Sequence, residues 1–327
     1  MFVSIIIPLY NSEKYIIDAL NSIWNQTFKD FECILIDDCS SDNTQFIIEQ
    51  FILLNKCHAY FKYYKNTINL KQGISRNIGI TKTSGKYIMF MDHDDLLPLS
   101  TLSDFYEYTK QHDYDLLIGN ILKFNDDENH TILWKSNFSQ NSFFNPTINK
   151  EYNFFNYVYP WSKLYLKQFW ENNNFTFTSN IYEDTILWAG ISSRAKRIKV
   201  INNIIYNFRV GNLNSDGSKK PRNYLQVHFK SLNERLETLK QFNLLNNENY
   251  YISYCLADAY QIIKDAKYFW QRYKLFMLLK KYIKVLPSSK FFNNDIIPNY
   301  KIIKLNKMYK YGLLYFIIHP NLRFHAS

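Results

Sequence analysis

The sequence predicts an α/β domain built on a mostly parallel sheet, followed by a basic, mostly helical extension. Three observations point there. Over the first 120 residues, short apolar runs alternate with stretches of helical period, as in repeated βα units. Polar residues follow consecutive apolar runs, as they do at the ligand-binding edge of an open parallel sheet. Beyond about residue 223 the pattern turns helical and basic.

Strands are expected at Val3 to Ile7, Phe31 to Ile36, Ala59 to Tyr64, Tyr87 to Met91 and Asp115 to Ile118. Between the first two, Tyr15, Ile16, Ala19, Leu20 and Ile23 recur at helical spacing, with Asn11 or Ser12 placed to cap the helix. A second helix is expected after Ser40-Ser41-Asp42-Asn43, whose side chains suit a cap, and a third from Ile74 to about Ile80. This order puts Tyr10 and Asn11 at the end of the first strand, Asp37 and Asp38 at the end of the second, and Asp92 and Asp94 at the end of the fourth. Residues 121 to 216 are richer in Asn, Phe and Trp and predict a less regular, mixed half. Farther on, Leu275, Phe276, Leu278, Leu279, Ile283 and Leu286 alternate with Lys274, Lys280, Lys281 and Lys284 at helical spacing. The expected organisation is a domain over 1–216, divided at 120 into two halves, and a basic region over 217–327.

At 46% hydrophobic and 18% aromatic residues, 327 residues suffice for a substantial core and exclude a disordered chain. No window supplies the roughly 18 uninterrupted apolar residues of a membrane span. Phe2 to Leu9 lacks the basic leader and cleavage site of a signal peptide, so a cytoplasmic location is expected. Cys33, Cys39, Cys57 and Cys255 form no C-x-x-C pair and are expected to be reduced, structural thiols. The net charge of +10 is uneven: residues 217–327 hold 19 Lys and Arg against 6 Asp and Glu. That surplus suggests an anionic partner, either a membrane surface at the cytoplasmic face, an acidic glycan or nucleic acid. An ordinary helical subdomain with solvated lysines is the plainer alternative.

The most pointed chemistry lies in Met91-Asp92-His93-Asp94-Asp95, after the apolar strand Tyr87-Ile88-Met89-Phe90. In extended chain, carboxylates at i and i+2 point the same way and suit a hard divalent cation such as Mg²⁺ or Mn²⁺. Such an ion would neutralise a departing diphosphate. A solvated acidic turn with Asp95 as a helix cap would look the same in isolation.

The company this motif keeps separates the two. Ile5-Ile6-Ile7-Pro8-Leu9-Tyr10-Asn11, Asn25-Gln26-Thr27, Ile34 to Asp42, Gly73-Ile74-Ser75-Arg76-Asn77-Ile78-Gly79 and the Asp92 run together resemble the N-terminal half of family 2 glycosyltransferases. The resemblance implies the GT-A (Rossmann-like) fold and a UDP-sugar donor. It assigns Pro8, Tyr10, Glu13, Asp37 and Asp38 to the nucleotide base, Asp38 being favoured of the two aspartates. Arg76 is placed near the donor diphosphate, Asp92 toward ribose or metal, and Asp94 as the direct ligand of Mn²⁺ or Mg²⁺. His93 is then structural.

A second constellation, Pro160-Trp161-Ser162-Lys163-Leu164-Tyr165 followed by Tyr182-Glu183-Asp184-Thr185, also resembles the family. It implies an acceptor side formed by Trp161, Lys163 and Glu183, with Asp184 as the base that takes the acceptor hydroxyl proton. The roles of Glu183 and Asp184 are exchangeable at this level, and acids also suit a helix N-terminus. Tyr206-Asn207-Phe208-Arg209 with Ser215 is similar to the basic loop that follows, although a histidine common near Gly211 is missing. The resemblance spans about residues 1–215. It implies an inverting transferase that moves one hexose or N-acetylhexosamine to a surface glycan or lipid-linked oligosaccharide, as in lipooligosaccharide or capsule assembly. No Gln-x-x-Arg-Trp motif is present, which argues against a processive synthase. A catalytically inactive glycan-binding relative shares the same motifs. A basic nucleic-acid-binding protein is the weaker alternative, since no nucleic-acid module is present. Dinucleotide and ATP enzymes are disfavoured, because G-x-G-x-x-G is absent and Gly79 to Tyr87 misses the P-loop spacing.

Overall fold

The computed structural model describes residues 1–127, 130–140, 157–179 and 183–211, with isolated positions between 227 and 273. The chain divides into two compact units, Met1–Asp184 with Arg194–Lys219, and Thr185–Ser193 with Lys220–Ser327. Most of the second unit, including the basic helical stretch expected from the sequence, lies outside the described residues, as does Cys255.

The first unit carries strands β1 (Val3–Leu9), β2 (Phe31–Asp37), β3 (Phe61–Lys65), β4 (Tyr87–Phe90), β5 (Leu116–Asn125), β6 (Ile132–Lys135), β7 (Lys163–Leu166) and β8 (Ile198–Val210). They form one sheet in the order β3-β2-β1-β4-β7-β5-β6, with β8 paired to β5. The run from β3 to β4 is parallel, as is the β5–β8 pair, while β7 is antiparallel to both its neighbours. Helices α1 (Ile16–Trp24), α2 (Thr44–Leu54) and α3 (Gln72–Thr81) connect the parallel strands, α4 (Thr101–Thr109) follows β4, and α5 (Lys167–Asn172) and α6 (Glu183–Arg194) follow β7. This is the expected α/β architecture with a mostly parallel sheet.

β1, β2 and β4 are continuous apolar runs because both faces of each are covered, and every residue in them is buried. Pro8 cannot donate to a ladder; it sits past Ile6, the last β1 residue paired with β4. Beyond that point the chain after β4 leaves β1, and the two strand ends open onto the candidate site.

Helix α3 packs on β1 and β2. Gly79 permits this, since a Cβ there would lie 2.4 Å from Ile6 Cγ2. At the other end of α3, a Cβ on Gly73 would lie 2.1 Å from the Thr178 carbonyl oxygen. Asn77 completes the docking by donating to Phe177 O at 2.8 Å and accepting from Phe177 N at 2.9 Å.

Five local expectations change. Helix α1 has no side-chain cap: Ser12 Oγ instead accepts from Tyr10 N, and Asn11 Oδ1 accepts from Ser41 N. β3 starts two residues later than expected and α3 two residues earlier. The acidic motif is not extended, because Asp95 N bonds back to Asp92 O at 3.3 Å and closes a turn over His93 and Asp94. The mixed half contains a 13-residue strand, β8, that the apolar pattern did not reveal.

Candidate active site

The acidic turn after β4 is held from below by β8. Leu96 and Asn207 exchange backbone hydrogen bonds at 3.0 and 2.9 Å. Tyr206 Oη accepts from Asp92 N at 3.0 Å and donates to Asp95 Oδ2 at 2.6 Å. Arg209 N donates to Asp95 Oδ1 at 2.8 Å. Asp95 is therefore a buried tie between the turn and β8, and not a helix cap. Burial pushes its carboxyl well above the usual range, with Asp94 and Asp92 adding to the effect.

Arg209 is committed to the same framework. Nε donates to the Asp94 carbonyl at 2.7 Å, Nη1 to Asp126 at 2.8 Å and Nη2 to Asp18 at 3.2 Å, with the guanidinium over the rings of Tyr15 and Phe124. It braces the turn that presents Asp94. Ser215 and Tyr182 lie outside the described residues.

Arg76 joins the two halves of the site. Its side chain is 3% exposed; Nη2 donates to Asp92 Oδ1 at 2.9 Å and Nη1 to Glu183 Oε1 at 2.5 Å. Its Nε is buried without a hydrogen-bond partner among the described residues. The donor-side turn and the start of α6 thus meet on one cation, with Phe177 under the guanidinium at 5.3 Å. Arg76, which the resemblance places near the donor diphosphate, bridges two carboxylates in this structure. Gln72 Nε2 adds a second donor to Asp92 Oδ1 at 3.0 Å.

Burial pushes Glu183 up, to about 8, and the neighbouring Asp184 charge adds to this against the pull of Arg76. Asp184, next along α6, is only half-buried. Its charge reaches Arg76, Lys163, Tyr159 and Glu183. Of the acidic pair, Glu183 is the more deeply buried and is held by Arg76.

The residues assigned to the base form a second cluster. Asp38 is buried and accepts from Asn66 Nδ2 at 2.9 Å, Leu70 N at 2.8 Å and Lys71 N at 2.8 Å. It orders the loop that leads into α3. Asp37 accepts from Ser40 N at 2.8 Å and from Tyr63 Oη at 2.5 Å. Glu13 Oε2 accepts from both Asn43 N and Asn43 Nδ2 at 3.0 Å, tying the β1 turn to the start of α2. Tyr10 is half-exposed on the same rim, beside Asn11 at a φ of 49°. Each of these acids has a framework partner, which the sequence alone did not disclose.

On the acceptor side, Trp161 is 3% exposed, its ring parallel to those of Tyr159, Tyr206 and Phe208. Lys163 is fully buried, donates to the Tyr159 carbonyl and lies 4.0 Å over the Tyr157 ring. Burial pushes its ammonium well below the usual range. Both residues support the wall of the site from inside.

No group of three or more His, Cys, Asp or Glu that could hold a metal is found among the described residues. What the turn offers is a carboxylate pair. Both side-chain donors to Asp92 reach Oδ1, and Oδ2 takes no hydrogen bond among the described residues. Burial raises Asp92, and the Asp94 charge adds to this, against the pull of Arg76. Two carboxylates on one turn are a donor set that suits a hard divalent cation whose remaining ligands come from a diphosphate.

Parallel strands ending in an acidic turn, with a second acidic pair brought to it across the sheet, define a GT-A-type α/β domain. The Glycosyl transferase family 2 model matches residues 4–188, and the chain belongs to that family. It is 35% identical over 127 residues to the poly(ribitol-phosphate) beta-N-acetylglucosaminyltransferase TarS of Staphylococcus aureus, a match covering 35% of this chain and 20% of TarS. It is 29% identical over 221 residues to the poly(ribitol-phosphate) beta-glucosyltransferase of Bacillus spizizenii, covering 64% of this chain and 32% of that protein. Against the GalNAc(5)-diNAcBac-PP-undecaprenol beta-1,3-glucosyltransferase of Campylobacter jejuni, identity is 36% over 121 residues, covering 36% of this chain and 38% of that one. The matched stretches thus span well under half of these relatives. The crystal structure of S. aureus TarS 1–349 in complex with UDP-GlcNAc superposes with a TM-score of 0.67 at 20% identity, covering 96% of this chain and 93% of that one. At that identity the likeness is one of fold.

Proposed function

We propose that the protein is an inverting, metal-dependent glycosyltransferase that moves one hexose or N-acetylhexosamine from a UDP-sugar to a hydroxyl of a glycan or lipid-linked acceptor. The observation that carries this reading is the Arg76 bridge, which gathers Asp92 and Glu183, and with Glu183 its neighbour Asp184, into one cluster. The relatives support the substrate class: by name they are β-glycosyltransferases acting on poly(ribitol-phosphate) and on a polyprenol-linked glycan. A UDP-GlcNAc complex is known for TarS. Gluco-configured nucleotide sugars are α-linked, so β products require inversion.

Asp94 and Asp92 would hold Mn²⁺ or Mg²⁺, which supplies charge neutralisation to the leaving diphosphate. The rim formed by Tyr10, Asp37 and Asp38 receives the uracil. Asp184 takes the proton from the acceptor hydroxyl as its oxygen attacks the anomeric carbon from the face opposite UDP. Glu183, fixed by Arg76, positions the first turn of α6 from which Asp184 projects. Gln72 and Arg76 together fix Asp92 Oδ1, so the turn needs little reorganisation when the donor arrives.

No helix among the described residues is long and apolar enough to cross a membrane. We place the protein at the cytoplasmic face, with the basic surplus of residues 217–327 supporting contact with anionic lipid. Flotation with anionic liposomes at low salt and its loss at high salt tests that contact.

The test of the reaction is a screen of nucleotide-sugar donors for UDP release with Mn²⁺ or Mg²⁺ and glycan acceptors. Acceptor-stimulated release from one UDP-hexose or UDP-N-acetylhexosamine is expected. Background release with every donor tried contradicts the proposal.

A further inference from the structure

We propose that Tyr159 is the acceptor platform, its ring taking the apolar C–H face of the acceptor's terminal pyranose. This deepens the acceptor reading above and rests on it. Trp161, the aromatic residue the family resemblance assigns to the acceptor, is 3% exposed and has little surface to offer. Tyr159 lies parallel to it, at 4.5 Å between ring centroids and 11°, and is itself 40% exposed.

The platform is built rather than incidental. Behind Trp161 the stack continues to Tyr206 at 4.7 Å and 7°, whose hydroxyl holds Asp92 N and Asp95 Oδ2. Phe208 lies parallel to Trp161 at 5.3 Å and 19°. The Tyr159 carbonyl accepts from the buried Lys163 ammonium, and Tyr157 meets the Tyr159 ring edge-on at 6.3 Å. A ring held this firmly gives up little freedom when a ligand lies on it. The Asp184 charge also reaches the Tyr159 hydroxyl, so the ring and the proposed base share one electrostatic neighbourhood.

The chemistry selects the ligand. A flat, uncharged ring with an electron-rich face attracts the slightly positive C–H edges of a pyranose and offers no positive charge to a phosphate group. A β-glucoside presents H1, H3 and H5 on one face, which suits such a surface; an open-chain polyol has no fixed face of this kind.

Saturation-transfer NMR on the full chain with methyl β-D-glucopyranoside, methyl N-acetyl-β-D-glucosaminide and ribitol as probes tests the proposal without requiring turnover. The wild type should transfer saturation to the pyranosides more strongly at H3 and H5 than at H2 and H4, and more strongly than to ribitol. Tyr159→Ala should weaken pyranoside binding roughly three- to tenfold and abolish the face preference, while UDP binding in the same sample is retained. Tyr159→Phe, which keeps the ring, should preserve both. Unchanged pyranoside affinity in Tyr159→Ala, absence of saturation at any sugar proton in the wild type, or parallel loss of UDP binding overturns the proposal. Because the readout is binding, failure here is distinct from failure of UDP release.

Discussion

Arg76 and Glu183 are 107 positions apart in the chain, yet they meet in a buried ion pair with Nη1 2.5 Å from Oε1. The same guanidinium holds Asp92. Removing one partner of a buried pair leaves the other charge stranded, at a cost of about 3–5 kcal/mol. Arg76→Met should therefore lower the unfolding free energy measured in urea by about that amount and abolish transfer. Arg76→Lys, whose single ammonium cannot span both carboxylates in the same geometry, should retain more stability than Arg76→Met and still lose most activity.

Asp94 and Asp184 carry the proposed metal and base roles, and each is tested by a single substitution. The Asp94 backbone carbonyl, and not its carboxylate, receives Arg209 Nε, and Asp184 is half-buried at a helix start. Asp94→Ala and Asp184→Asn should each reduce UDP release in the presence of acceptor by at least roughly 10²-fold, with melting temperatures near wild type. Full activity in either purified variant removes the role assigned to that residue.

The two glycines of α3 should separate stability from function. Alanine adds roughly 1 kcal/mol to a helix interior, but at Gly79 its Cβ would stand 2.4 Å from the buried Ile6 Cγ2. The overpacking, typically about 1–3 kcal/mol, should win. Gly79→Ala should lower the denaturation midpoint and leave the acceptor KM unaltered. Gly73→Ala meets a backbone carbonyl at 2.1 Å and Glu183 Cγ at 3.0 Å, so it should also impair transfer.

Glu32 should set part of the acid stability. It is fully buried; desolvation raises its pKa, but hydrogen bonds from Lys62, Ser4 and Ser84 outweigh that and bring it from 4.5 to about 2. Folding therefore favours the carboxylate. Its contribution, on the order of 3 kcal/mol, is present above pH 4.5 and is lost as pH falls toward about 2. Denaturation curves across that window should be steeper in pH for the wild type than for Glu32→Gln.

Much of this arrangement could be read from the chain. β1, β2 and β4 announce themselves because strands buried on both faces are continuous apolar runs. The Gly73 to Gly79 motif was visible as a pattern, and its physical content became clear only in the packing: two close approaches, an Asn77 clamp and a buried guanidinium. β8 escaped because its burial does not alternate and its exposed and half-exposed positions include Asn202, Asn203 and Asn207. β7 is four residues long and begins with a buried lysine, Lys163. With β8 hidden, the tie from Asp95 to Tyr206 and Arg209 was hidden too. Asp37, Asp38 and Glu13 stood out by residue type, but only three-dimensional neighbours show how much of each is spent on ordering loops.

The proposed reaction requires the acidic turn to hold a cation together with the donor diphosphate. Electron paramagnetic resonance of free Mn²⁺, recorded with protein before and after adding UDP, measures this without an acceptor. In the wild type, UDP should remove free-Mn²⁺ signal beyond its own chelation, and Asp94→Ala should lose this extra uptake. Equal uptake in the variant, or none in the wild type, would contradict the proposed reaction.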